Sequence, residues 1–335
     1  MAPTTVANTT ARAILRFCAA RGLTTEVLLS SARIQRKQIT DPEARLAAEQ
    51  AFALWGEAQN YTKDALIAVR TAEFLPFGAY KVIDYLLATS STPRDSLNKL
   101  ARNFRLVNGA FELRLTSHNG GSRFELHNPF DPEGPSRLYV EFIFAIVQSR
   151  LRSATEINWH PREIWFTHST LGNVADYCKL FQCAVRFNQA LNQMVLDKRL
   201  LDVSQPQADP SLSEMLDYHA QRLLRQLPAE DDFLSEVRTA MREGLDSGDV
   251  CLKTTAMKLA ISCRALQRKL NEQGISYREV LDRIRYELAI DLLAKRQLEI
   301  EEIAQVLRFS EPSALYRAFR RWTGKTPQEY LEVQP

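Results

Sequence analysis

The chain contains the stretch Ile303-Ala-Gln-Val-Leu-Arg-Phe-Ser310, continued by Glu311-Pro-Ser-Ala-Leu-Tyr-Arg-Ala-Phe319 and closed by Gly324. Earlier in the chain stands Thr255-Ala-Met-Lys-Leu-Ala-Ile-Ser262, then Cys263-Arg-Ala-Leu-Gln-Arg-Lys-Leu270, then Gly274. Laid over each other, Ala256 falls on Ala304, Leu259 on Leu307 and Ser262 on Ser310. After one inserted residue, Leu266 falls on Leu315, Arg268 on Arg317, Leu270 on Phe319 and Ser276 on Thr326. A repeat at this spacing is one supersecondary unit used twice.

Each copy spells helix, tight turn, helix. The first helix ends at Leu259 or Leu307. The turn is Ala260-Ile-Ser or Arg308-Phe-Ser, and its serine is suited to cap the next helix. Pro312 falls just inside the second copy's second helix, where its missing N–H is not needed. On a helical wheel Leu266 and Leu270 point inward, while Arg264, Gln267, Arg268 and Asn271 share the other side. In the second copy Leu315, Phe319 and Trp322 point inward, and Ser313, Tyr316, Arg317, Arg320 and Arg321 face out. Neither outward face is expected to carry an acid. Arginine and glutamine make paired hydrogen bonds to guanine and adenine edges in the major groove. Two helix-turn-helix units with such faces therefore imply a reader of double-stranded DNA. The bland alternative, solvated cationic helix faces, fits one such unit better than two in register. Arg264, Gln267, Arg268, Ser313 and Arg317 are the expected base-reading residues. Lys269, Tyr316, Arg320, Arg321 and Lys325 are expected on phosphates.

These residues also carry a resemblance. Leu266-Gln-Arg-Lys-Leu270 and the run Phe309 to Tyr330 closely resemble the C-terminal domain of AraC/XylS-type bacterial transcription regulators, over about the last hundred residues. In that family the turn often holds glycine where this chain has Ala260 and Arg308, so each turn is expected still to form, without glycine's easy access to positive φ. The basic residue common after the final tyrosine is Leu331 here. The resemblance implies a DNA-binding domain over 229–335. Its parts are a first helix-turn-helix near 253–272, a linker helix near 277–296 and a second helix-turn-helix near 301–322. The linker, with Leu281, Ile284, Leu288 and Leu292 on one face, spans on the order of 25 Å. Successive major grooves lie about 34 Å apart, so bending of the DNA is expected.

The 335 residues suggest two domains, and an apolar content of 45% is ample for packed cores. No apolar run is long enough to span a bilayer. The first residues lack a basic stretch followed by an apolar core, so no signal peptide is expected. Five scattered cysteines suit a reducing cytoplasm. From Ala229 onward there are 17 basic and 18 acidic residues, so the DNA-binding half is not net basic. The acids gather in Glu230–Asp249 and Glu299–Glu302, away from the recognition faces, and local field outweighs the sum.

The first two-thirds reads as α+β. Helices are expected at Ala11–Ala20 capped by Thr10, Thr25–Ala32, Pro42–Gly56, Asp64–Phe74, Tyr80–Leu87 and from Pro93, with Leu97, Leu100 and Phe104 on one face. The period then changes to two. Strands are expected at 111–116, 123–127, 163–167, 184–187 and 192–196, with a hairpin at Asn119-Gly120-Gly121. An apolar helix, Ser136–Ala154, separates strands two and three. A further helix begins at Asp209 or Ser211 and runs to about Leu227, with the domain boundary at 228. Phe77-Gly-Ala-Tyr80, Glu163 to His168 and Phe181 to Phe187 resemble the AraC-family sensor domain labelled "arabinose-binding". That resemblance implies a small-molecule effector and a homodimer.

No glycine-rich phosphate loop, nucleophile elbow or paired metal-ligand spacing is present, so no catalytic residue, cofactor or metal is expected. Cys178 and Cys183 read as free thiols. Tyr80, Tyr139, Phe142 and Trp165 are candidate ligand-pocket residues, each more often core. The sequence thus implies a cytoplasmic regulator whose partners are DNA, an unidentified effector and, if it activates, RNA polymerase. The rivals are an effector-independent architectural DNA binder and a DNA-localised enzyme with catalysis in the N-terminal domain.

Overall fold

The computed structural model describes residues 5–118, 121–128, 133–227, 232–272, 275–295, 298–323 and 326–332. The chain divides into two units, Met1–Glu230 and Asp231–Pro335.

The first unit opens with β1 (Thr5–Ala7), α1 (Thr9–Ala19), α2 (Thr25–Ser31), α3 (Arg36–Thr40) and β2 (Arg45–Ala47). Two expectations fail here. Thr10 is not a cap: it lies inside α1, buried, with its hydroxyl 2.8 Å from that of Tyr80 and 3.0 Å from that of Tyr139. Nor does a helix begin at Pro42. Residues 45–47 are drawn into antiparallel pairing with β1. Arg45 holds them there, donating to Thr5 Oγ1 and to the carbonyls of Thr5, Arg105 and Leu106. Local helical pattern loses to that tertiary network, and α4 starts only at Ala48 (Ala48–Thr62). Helix α3 was not anticipated.

Next come α5 (Ile67–Glu73), α6 (Val82–Thr89), α7 (Pro93–Asn103) and a 3-10 turn at Phe104–Leu106. Leu97, Leu100 and Phe104 are all buried, as the wheel implied. Strands β3 (Glu112–His118) and β4 (Gly121–His127) pair as a hairpin from Glu112↔His127 to His118↔Gly121; Asn119 and Gly120 lie outside the described residues. Then follow α8 (Ser136–Thr155), β5 (Glu163–Trp165), α9 (Val174–Phe181), β6 (Ala184–Arg186), β7 (Asn192–Leu196), α10 (Lys198–Leu201) and α11 (Pro210–Gln226). The sheet order is β3-β4-β7-β5-β6, with β5 and β6 parallel and the other pairs antiparallel. Period-two alternation puts Leu113, Phe124, Leu126, Met194, Ile164 and Val185 into one core shared with α8. Helix α8 packs on α4, α5 and α6 and is buried on nearly every side. Arg150 of α8 and Asp84 of α6 form a fully buried pair at 2.8 Å, and Arg150 also donates to the carbonyls of Leu75 and Pro76. Asp209 caps α11 through the amide of Leu212.

The second unit is all helix: α12 (Asp232–Ser247), α13 (Leu252–Lys258), α14 (Cys263–Glu272), α15 (Tyr277–Lys295), α16 (Ile300–Val306), α17 (Pro312–Thr323) and α18 (Pro327–Glu332). Phe233, Val237, Met241, Leu245, Ala256, Leu266, Leu270, Val280 and Ile284 make the core beneath α14. Helix α15 packs on α12 and on α16, α17 and α18. Of the expected stripe Ile284 is buried and Leu281, Leu288 and Leu292 are half-buried; Val280, Ala289, Ile290 and Leu293 are buried as well, since the helix serves both copies.

Candidate nucleic-acid interface

The repeat survives in three dimensions down to single hydrogen bonds. After α13 the amide of Ile261 bonds to the carbonyl of Ala256 and that of Ala260 to Met257, both at 3.0 Å. After α16 the amide of Phe309 bonds to Ala304 and that of Arg308 to Gln305, again at 3.0 Å. This is the Schellman pattern, which needs a left-handed residue just past the helix. Here it is Ala260 at φ 53° and Arg308 at φ 56°. The turns thus form without glycine, as expected, and they do so by holding these non-glycine residues at positive φ. The turn geometry prevails over the side-chain preference, at a cost of roughly 1–2 kcal/mol per residue.

Two arginines brace the second turn. Arg308 donates Nε to the carbonyl of Leu245 at 3.1 Å. Its guanidinium lies so close to Gly248 that a Cβ there would come within 3.1 Å of it. From α15, Arg285 donates to the carbonyls of Leu307 (2.9 Å) and Arg308 (2.7 Å) and stacks 4.5 Å over the ring of Phe309. The repeat also continues past each recognition helix. Ser276 with Glu279 and Thr326 with Glu329 form matching capping boxes, each closed by bonds of 2.7 and 3.2 Å. A serine or threonine three residues before a glutamate was a legible signal that the sequence reading passed over.

Helix α14 is capped by Ser262, whose Oγ accepts from the amide of Ala265. Helix α17 begins at Pro312 with Glu311 before it, so Ser310 sits one residue outside the cap expected of it. On α14, Leu266 and Leu270 are fully buried, while Arg264, Gln267, Arg268 and Asn271 are exposed and line one shallow depression. On α17, Leu315 and Phe319 are buried and Trp322 is half-buried against Phe309, Phe319 and Tyr286. Ser313, Arg317, Arg320 and Arg321 are exposed, and Tyr316 is half-buried.

The expectation that acids stay clear of these faces needs correction. Glu311 takes Arg317 at 3.0 Å, and Arg317 also reaches Ser313 at 3.3 Å. Side-chain hydrogen bonding to Ser313 first, and to Arg317 next, holds the Glu311 carboxyl below its ordinary range. Asp282 of α15 takes Arg321 at 2.8 Å. Lys269 lies 4.6 Å over the ring of Phe233, and Lys325 is outside the described residues. Neither Asp282 nor Arg285 was singled out in the sequence, because both belong to the linker rather than to either repeat.

In the first unit the candidate pocket residues separate. Tyr80, Tyr139 and Phe142 come together in the core, Tyr139 meeting Phe52, Phe111 and Phe142 at centroid distances of 5.6–6.1 Å. Both tyrosine hydroxyls are already bonded to Thr10. Trp165 is elsewhere, half-buried on the other face of β5, donating to Glu163 with Arg123 5.8 Å over its ring. No helix among the described residues is long and apolar enough to cross a membrane.

Two family models match this arrangement: residues 22–204 as the arabinose-binding domain of AraC transcription regulators, N-terminal, and residues 255–332 as a helix-turn-helix domain. The chain belongs to the AraC family of transcription regulators. It has the family's layout, an N-terminal ligand-binding domain followed by a C-terminal helix-turn-helix DNA-binding domain. Family relatives include the ornithine utilization regulator of Pseudomonas aeruginosa, 26% identical across 96% of this chain and 95% of that one. Another is the HTH-type transcriptional regulator VirS of Mycobacterium tuberculosis, 32% identical across 78% of this chain and 77% of its own. Among solved structures, the transcriptional regulator CdpR of Pseudomonas aeruginosa is 20% identical over 92% of this chain and 96% of that one, with a TM-score of 0.45.

Proposed function

We propose that this AraC-family regulator reads an asymmetric operator with α14 and α17 set in successive major grooves on one face of the duplex. Arg264, Gln267 and Arg268 act on base edges from the first helix, and Ser313 and Arg317 from the second. Tyr316, Arg320, Arg321, Lys269 and Lys325 hold phosphates. The observation that carries this reading is that both exposed faces hang from turns of the same geometry, so the repeat is a pair of readers rather than one reader and a decayed copy. Arg317 enters the groove already forked between Glu311 and Ser313, while Arg321 and Lys269 exchange their internal partners for phosphate oxygens.

The first unit acts as a sensor rather than an enzyme: a ligand there changes DNA binding through different affinities for the two states. Self-association has a candidate surface in α11, where Leu212, Met215 and Tyr218 are exposed. Its first half carries Glu214 and its second Arg222 and Arg225, so antiparallel pairing of two copies matches opposite charges. The protein works in the cytoplasm and, at promoters it activates, meets RNA polymerase.

The test is selection of the full-length protein against random duplex DNA at a stated salt concentration. One enriched motif, with two elements about one helical turn apart, is expected. Salt-sensitive binding without enrichment would mean a non-specific clamp.

A further inference from the structure

Glu141 sits in the middle of α8 with no exposed surface. Side chains from two other segments meet its carboxylate. The Tyr177 hydroxyl of α9 lies 3.1 and 3.4 Å from the carboxylate oxygens and 3.0 Å from the carbonyl of Ala65. A phenol has one proton. Donated to Ala65, it leaves Oη turned to Glu141 as an acceptor. His168 is 1% exposed and puts Nε2 3.6 Å from Glu141 Oε1, beyond hydrogen-bond reach. Its Nδ1 lies 2.9 Å from the carbonyl of Ser169, which only accepts, so Nδ1 carries the ring proton. Nε2 is then a bare lone pair, buried and without a hydrogen-bond partner among the described residues.

The cations nearby are engaged elsewhere. Arg137, one turn earlier on α8, is bonded to Glu133, and Arg70 is bonded to Asp64. Burial lowers the pKa of His168, so the ring stays neutral. Burial raises the pKa of Glu141 to about 8, so near neutral pH the carboxyl holds its proton and has no cation of its own to ionise against. The walls are apolar: Phe166 is 5.1 Å and Phe187 5.5 Å from the His168 ring, and Phe187 is 4.9 Å from Tyr177. Ser169–Asn173, directly after His168, is a half-exposed loop tied down by Glu133 through the amide and hydroxyl of Ser169.

We propose that Glu141, His168 and Tyr177 are the polar head of an effector site that takes a primary ammonium group. The three N–H bonds of such a cation match the three acceptors: the carboxylate of Glu141, Nε2 of His168 and Oη of Tyr177. A donor about 2.8 Å from both Oε1 and Nε2 bridges their separation with ordinary hydrogen bonds. Its single positive charge stabilises the ionised form of Glu141, so binding displaces the carboxyl proton and leaves a buried carboxylate with a partner. A guanidinium has five donors and would leave some of them facing Phe166 and Phe187; a quaternary ammonium has none to give. The alkyl part of the amine lies along the phenylalanine rings, and entry is beneath the 169–173 loop. The proposal rests on the first unit's being the ligand-binding domain and names the chemistry it recognises.

The experiment is thermal unfolding and titration calorimetry of the full-length protein at pH 7.0, without DNA. The probes are n-butylamine and 1,4-diaminobutane, with 1-butanol and tetramethylammonium as controls. At least one primary amine is expected to raise the melting temperature by about 3 °C or more at saturation, while its control does not. Calorimetry in two buffers should show about one proton released per amine bound, as Glu141 ionises. Glu141→Gln keeps the shape of the side chain but should lose the shift, and Tyr177→Phe should weaken binding at least tenfold. The idea is overturned if no amine shifts the parent, if controls act equally, or if both variants respond like the parent. Because the readout contains no DNA, failure here leaves the reading of α14 and α17 standing.

Discussion

Ala260 and Arg308 occupy the same place in the two turns, with φ of 53° and 56°, and glycine at each should have opposite effects. Relieving a left-handed conformation in a non-glycine residue returns about 1–2 kcal/mol. Glycine's extra freedom in the unfolded chain takes back about 0.5–1 kcal/mol. At Ala260, which is exposed and loses only a methyl group, the sum is a gain of about 0.5–1 kcal/mol. At Arg308 the same backbone gain applies, but the bond from Nε to the carbonyl of Leu245 and the packing on Gly248 are lost. A bond from a charged group is worth about 1.5–3 kcal/mol, so Arg308→Gly should destabilise by about 1–2 kcal/mol. The assay is urea unfolding of residues 231–335, followed by the fluorescence of Trp322, the one tryptophan there. The midpoint should rise for Ala260→Gly and fall for Arg308→Gly, with unchanged slope. If Ala260→Gly lowers the midpoint as far as Arg308→Gly does, the turns are not strained and the argument collapses.

Arg317→Ala should cost roughly 1–3 kcal/mol on the selected operator and relax preference at one base position, read by competition with single-base variants. Arg321→Ala should weaken binding to all sequences and lower the salt slope by about one, measured as log K against log salt concentration. Circular-permutation mobility shifts should show bent DNA in the full-length complex; a straight duplex would mean that one helix engages weakly. Stability should fall as pH rises from about 5 to about 8, because native Glu141, with its pKa raised to about 8, holds a proton that the unfolded chain releases near 4.5. His168 opposes this near its unperturbed pKa, since its own pKa is lowered and protonation favours the unfolded chain there. Chemical denaturation across that range should lose the Glu141 slope in Glu141→Gln; a Glu141→Gln curve with the parent's slope would exclude Glu141 as its source.

What could be read from sequence was what repeats or alternates. Leu266 and Leu315 recur in register, and Phe124, Leu126 and Met194 sit at period two, so the recognition helices and the sheet were legible within a residue or two. What depended on distant partners was not. Nothing beside Arg45 in the chain announces four acceptors on Thr5, Arg105 and Leu106, and the strand it secures was read as helix. The interface was legible as faces but not as pairings: Glu311 and Asp282 reach Arg317 and Arg321 across a helix end and between helices. The cluster at Glu141 was invisible for the same reason, its members lying on α8, in the 168–173 loop and on α9. The aromatic residues chosen as pocket candidates were visible by type alone, and type did not distinguish the packed core around Tyr139 from the sheet surface at Trp165.

Helix α15 meets both halves of the repeat, holding the second turn through Arg285 and α17 through Asp282. On the proposed reading, with α14 and α17 both in the groove, a regulator built this way measures spacing as well as letters. A gap lengthened by about five base pairs would turn one element roughly half a revolution, onto the far side of the duplex. Target promoters can then exchange individual bases gradually and lose affinity by degrees. They can change the interval between the two elements only in steps that the stiff connector spans, and a genome search for the regulon should hold that interval constant while letting the bases vary.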